Sequence, residues 1–214
     1  MLPTSPTRFA RLARASALLA AIAAAAAAAA PASAADAAGV RVRGTVIALA
    51  GDTLQVQTRE GAAVSIALAP GWSASAVVKL SPADIKPGDY VGVASEPTVT
   101  GGDGALEVLV FPPAMKGTGE GSAGWDLKPQ STMTNGSVAD AVTAVDGSSV
   151  TVTYHGQSRK ISIAADTPVV TLAPATRDDV RPGAAVFVPA QRSADGTLSA
   201  GRLVVGKNGV APPM

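Results

Sequence analysis

The chain carries one histidine, His155, and no cysteine. Those two facts exclude thiol chemistry, cysteine-ligated zinc, disulfide staples and any multi-histidine metal centre. His155 stands beside Gly156, directly after the alternating segment Val150–Tyr154 expected to be a strand, which places it in a solvated turn. The segment Gly119-Glu120-Gly121-Ser122-Ala123-Gly124 has the glycine spacing of a dinucleotide fingerprint. Its context fails, because Pro112-Pro113 occupies the place of the leading strand and no amphipathic helix follows to offer its N-terminus. No Gly-Lys-Ser/Thr phosphate loop, nucleophile elbow or Ser-x-x-Lys motif occurs. The carboxylates Asp84, Asp89 and Glu107 are scattered, which suits turn capping and solvation, with a weak calcium site at Asp84 and Asp89 as the lesser alternative. Asn135-Gly136-Ser137 has the form of a glycosylation sequon, which means little if the source is bacterial. This inventory points to a non-enzymatic chain with no cofactor and no catalytic residue.

What remains for recognition is aromatic. Past residue 34 the chain has six aromatic residues. Three of them, Trp72 after the third expected strand, Tyr90 and Trp125, are the candidate ligand or interface contacts. Small barrels bind ligands through such faces, although Trp72 also suits the plug of a barrel end. Arg41, Arg43, Arg159, Lys160, Arg177 and Arg181 are interspersed with acids, as on a solvated surface.

Charge agrees with that restraint. The 214 residues carry a formal net charge of +1. Nucleic-acid-binding domains are clearly basic, so no nucleic-acid partner is expected.

The first 35 residues hold seventeen alanines and three arginines but no acid. A cationic start (Met1–Arg14) precedes sixteen uncharged residues (Ala15–Ala30), then Pro31 and the small residues Ala32-Ser33-Ala34. That is the plan of a secretory signal peptide with cleavage after Ala34. The apolar stretch falls short of the ~20 residues a spanning helix needs. The expectation is a periplasmic or secreted chain with no membrane span after cleavage.

The body of the chain reads twice. Val46–Val56, strand, turn and strand around Gly51-Asp52, is matched by Val142–Val152 around Asp146-Gly147, a strong hairpin pair. Alternating strands Val64–Leu68 and Ile161–Ile163 follow. Then Leu80–Val93 matches Ala175–Val188: Ser81 and Thr176 stand three residues before Asp84 and Asp179, as in a helix N-cap, and Pro87-Gly88 and Pro182-Gly183 launch the next strand. Val91 and Val93, or Val186 and Val188, are its buried residues. Leu106–Phe111 and Leu203–Val205 close the copies. Many short, evenly spaced strands predict an all-β protein: two tandem small OB/SH3-like barrels of five or six strands each, with a one-turn helix before the fourth strand. The expected organisation is a signal peptide (1–34), a first barrel (35–111), a connecting strap rich in Gly and Pro (112–135) and a second barrel (136–214). Trp125 and Met133 in that strap are expected to dock onto a barrel and fix the barrels' relative orientation.

The pattern RGTV…GDTL-x-V…DIKPGDYVGV, with KGTGEG…WDL…STMTN and the ending VVGKNGVAPPM, resembles a family of secreted proteobacterial proteins of unknown function. The resemblance spans residues 40–214 and implies a signal peptide followed by two OB-like barrels. It carries no catalytic residue over. Some members bear the label of a metal ABC transporter permease, which requires transmembrane spans that this sequence does not offer. Gly124 stands before Trp125 where the family more often has proline. The functional expectation is a periplasmic binding or envelope-scaffold module for a small ligand or an envelope protein. The alternative is a metal-handling accessory protein using surface carboxylates.

Overall fold

The computed structural model describes residues 38–144 and 147–213. The expected leader and Asp146 of the second hairpin turn lie outside the described residues. The protein is all-β. Twelve strands follow in order: β1 (Ala38–Ala50), β2 (Thr53–Thr58), β3 (Ala63–Leu80), β4 (Tyr90–Pro97), β5 (Asp103–Val110), β6 (Gly121–Gly124), β7 (Thr132–Ala144), β8 (Gly147–Tyr154), β9 (Gln157–Ile163), β10 (Val169–Pro174), β11 (Ala185–Arg192) and β12 (Leu198–Val205). Among the described residues no helix is long and apolar enough to cross a membrane.

Alternation builds the strands. In β2 the buried Leu54 and Val56 alternate with the exposed Gln55 and Gln57, so one face enters a core and the other meets water. The expected short helices are single 3₁₀ turns at Pro82–Asp84, just before β4, and at Arg177–Asp179, before β11. Asp84 and Asp179 accept the backbone N–H of Ser81 and Thr176 at 2.7 and 2.9 Å, which caps each turn.

The pairings close two circuits of five strands. The first runs β1–β2–β3–β12–β11 and back to β1. The second runs β4–β5–β9–β8–β7 and back to β4, with β5 and β9 joined through only two residue pairs. Each of the sequence copies expected at 35–111 and 136–214 supplies strands to both circuits, so the barrels are built across the copies. Each circuit takes three strands from one copy and two from the other. The cause is the length of β3. Eighteen residues are more than a small barrel's edge needs, so its end, Ser75 to Leu80, runs on past the first barrel and pairs antiparallel with β10, Leu80 opposite Val169. The chain then turns into β4 already inside the second barrel.

Three cores result. Val42, Val46, Leu54, Val56, Ile66, Val186, Val188 and Leu203 fill the first barrel. Ile85, Val91, Val93, Val108, Val138, Val150, Val152 and Ile161 fill the second. Val77, Leu109, Val170 and Phe187 make a third core on the seam between the barrels. Burying such side chains contributes roughly 1.5–3 kcal/mol each, so the seam is an interface of substance.

The structural match of the two copies differs from the sequence match in two places. Between the buried valine and the turn the β7–β8 hairpin has five residue pairs where β1–β2 has three, which makes Val138, not Val142, the counterpart of Val46. Val138 is buried and Val142 is 45% exposed. Likewise Ile66 and Ile161 share a place, opposite Leu54 and Val150. Gap length was invisible to alternation alone, because period-two patterns match at any even shift.

Candidate functional site

The strap of residues 112–135 holds a 3₁₀ turn at Pro113–Met115 and the short strand β6, which pairs with β7. The glycine-rich segment is therefore sheet edge, and its dinucleotide spacing is accidental. Trp125 is positioned by its own backbone: its N–H donates to Ser131 O at 2.8 Å, and the Ser131 hydroxyl lies 2.9 Å from Trp125 O. The indole then meets β1. Alternation along β1 sends Val42 into the first core and leaves Arg41 and Arg43 on the outer face. The Arg41 guanidinium lies 3.9 Å from the indole centroid and that of Arg43 lies 5.8 Å away. Asp126 accepts both terminal nitrogens of Arg43, at 3.1 and 2.8 Å. These hydrogen bonds hold the Asp126 carboxyl below the usual carboxylate range, against a smaller effect of burial. The strap thus ties the first barrel's β1 to the second barrel's β7.

Trp125 and Met133 wall a groove between the barrels, a cavity of about 450 Å³. Leu109, Phe111, Leu172, Phe187, Leu203 and Val204 supply its apolar lining, and Arg41, Arg202 and Asn135 its polar one. The Asn135 amide nitrogen donates to Thr118 O and Gly119 O at 3.3 and 3.1 Å. Its oxygen and the Trp125 indole nitrogen are buried without a hydrogen-bond partner. On the strap's far side Arg41, Trp125, Met133 and Asn135 also border a second hollow of about 420 Å³ that reaches Glu120 and His155. A cleft of about 600 Å³ beside Asp179 and Lys207 is larger. It is lined by Asp179, Arg181 and Lys207, and Lys207 Nζ lies 2.9 Å from Asp179.

The three aromatic candidates take separate places. Trp72 lies inside β3 itself, not in a loop after it. It sits where the pairing of β3 with β12 slips around Pro70-Gly71, and packs against the first barrel's core. Its indole N–H donates to Asp52 at 3.3 Å, and Arg177 lies 5.4 Å from its ring. Tyr90 is 4% exposed and tilted against Phe111 at 5.5 Å; its hydroxyl donates to Thr118 O at 3.2 Å. Burial, aided by Glu120, raises its pKa. Tyr90 therefore supports the strap from beneath, and Trp125 alone of the three faces the groove.

His155 is exposed, in a left-handed turn with φ of 44°, its backbone N–H donating to Glu120 at 2.9 Å. Asp84 and Asp89 spend their side chains on backbone caps, at Ser81 and Lys86. Among the described residues no group of three His, Asp or Glu side chains could hold a metal ion. Arg159 departs from the expected solvated surface: it donates twice to Asp103, at 2.7 and 2.8 Å, and to Thr132 at 2.9 Å. That contact holds the Asp103 carboxyl low.

Sequence reasoning missed Phe187, Arg202 and Glu107. Glu107 was expected to serve turn capping or solvation, but its face of β5 lies on the seam and leaves it 1% exposed. Neither of its oxygens has a hydrogen-bond partner, and burial pushes its carboxyl up to about 7 against the opposing pull of Arg43 and Arg59. No local signal marks these residues, since their faces become interior only when the barrels meet. No protein-family model, no curated protein and no solved structure matches this chain.

Proposed function

We propose that this chain is an exported, non-enzymatic binding module whose ligand lies in the groove between the two barrels. One observation carries the reading: Trp125, a half-buried indole on a strap anchored to both barrels, walls a cavity whose other residues come from both barrels. Concave, mostly apolar sites with a few convergent polar groups, at the junction of two bodies, are where small ligands bind, and cavities of about 300–1,000 Å³ suit them. The cleaved leader and periplasmic or secreted location rest on residues 1–34 and belong to the same proposal. A metal-handling role has no comparable support, because the carboxylates that suggested it serve as backbone caps.

The test is native mass spectrometry of the protein equilibrated with periplasmic extract, alongside Trp125→Ala. A retained small-molecule mass that the variant loses supports the reading. No retained mass, with Trp125 emission unchanged by the extract, removes it.

A further inference from the structure

Resting on that reading, we infer that the groove takes a single-chain anionic amphiphile, its tail on the apolar seam and its head against Arg202 and Arg41. The charge of the walls is one-sided. Two arginines line the groove, and no aspartate or glutamate does. Arg41 is stacked on Trp125 and shares Asp126 at 3.7 Å. Among the described residues the Arg202 side chain forms no ion pair or hydrogen bond, its backbone being paired with Ser73 of β3.

The apolar floor is continuous with the seam core, where Leu109 and Phe187 belong both to the groove and to the buried cluster. A bound tail therefore extends a core that already exists, gaining the same water-excluding free energy as a side chain placed there. Two buried polar atoms in the walls lack partners: the indole N–H of Trp125 and the amide oxygen of Asn135. Neither atom is open to the groove, so the charge of Arg202 and Arg41 selects the head. A carboxylate or phosphate head supplies the negative charge that faces those two arginines. A cationic head meets two like charges, and a neutral alcohol forgoes the ionic contact.

The experiment is isothermal titration of the full chain with decanoate, decyl phosphate, decanol and decyltrimethylammonium, each below its micelle concentration, with the emission of Trp125 followed in a Trp72→Phe background. Charge-assisted hydrogen bonds are worth about 1.5–3 kcal/mol, which corresponds to roughly tenfold or more in affinity. At least one anion is expected to bind about tenfold tighter than decanol, and the ammonium to bind weakest. In Arg202→Gln that preference is expected to collapse while decanol affinity holds. Whether decanoate or decyl phosphate leads distinguishes a carboxylate from a phosphate head. Equal affinity for all four, or a lead for the ammonium, overturns the anionic assignment and leaves the groove standing as a binding site. No binding of any, with Trp125 emission unmoved, overturns the assignment; the extract experiment then decides whether the binding reading falls with it.

Discussion

Gly44 and Gly136 hold the same place in the two halves of the molecule. A Cβ on Gly44 would strike the carbonyl oxygen of Gln57, and one on Gly136 the carbonyl oxygen of Thr153. Each glycine stands two residues before the buried valine, Val46 or Val138, that opens its barrel's core, and each lets the paired strand cross closely. Gly44→Ala or Gly136→Ala forces backbone apart and is expected to cost about 2 kcal/mol or more in denaturant unfolding. Gly39→Ala, with open space around it, is the control and should be near neutral.

Glu107 makes stability depend on pH. In the fold its carboxyl holds a proton up to about pH 7, whereas the ordinary value is 4.5. Between those values the unfolded chain binds fewer protons than the folded one, so folding stability falls as pH rises through that window. The loss is on the order of 3 kcal/mol. Glu107→Leu, which removes the buried carboxyl, should flatten the profile above pH 4.5 and unfold at higher urea than the parent at alkaline pH. A parent profile without this fall would show that Glu107 is solvated.

Asp103 and Arg159 form an ion pair where the first barrel has Leu198 and Val64. Asp103→Asn leaves a partly buried guanidinium short of its partner and should destabilise by about 1–3 kcal/mol. The double change Asp103→Leu, Arg159→Val, copying the first barrel, should recover most of that loss. A double-mutant cycle with near-zero coupling rejects the pair as a stabilising contact.

Trp125 holds the strap through Arg41 and Arg43. Removing the ring by Trp125→Ala should cost about 1–2 kcal/mol and raise amide hydrogen exchange across residues 117–131 while the cores of both barrels keep their protection. Equal exchange in parent and variant means that the Asp126–Arg43 contact alone secures the strap.

Much of the architecture was legible in the residues. Alternation gave the strands, Ser81/Asp84 and Thr176/Asp179 gave the capped turns, and Val91, Val93, Val186 and Val188 are buried as the pattern required. Alternation and capping act within a few residues, so sequence reports them directly. Trp125 was legible as an anchor because a tryptophan in a Gly/Pro-rich segment has little reason to face water.

The exchange of strands between the copies was not legible. Whether β3 turns back or runs on to meet β10 depends on which partner lies beyond Trp72, and pairing carries no residue code when both faces offer alternating valines. The groove, the exposed Arg202 on its wall and the buried carboxyl of Glu107 follow from that exchange. Each is polar or apolar in the sequence, but only the approach of two barrels removes its water, and burial is what gives a side chain its energetic weight.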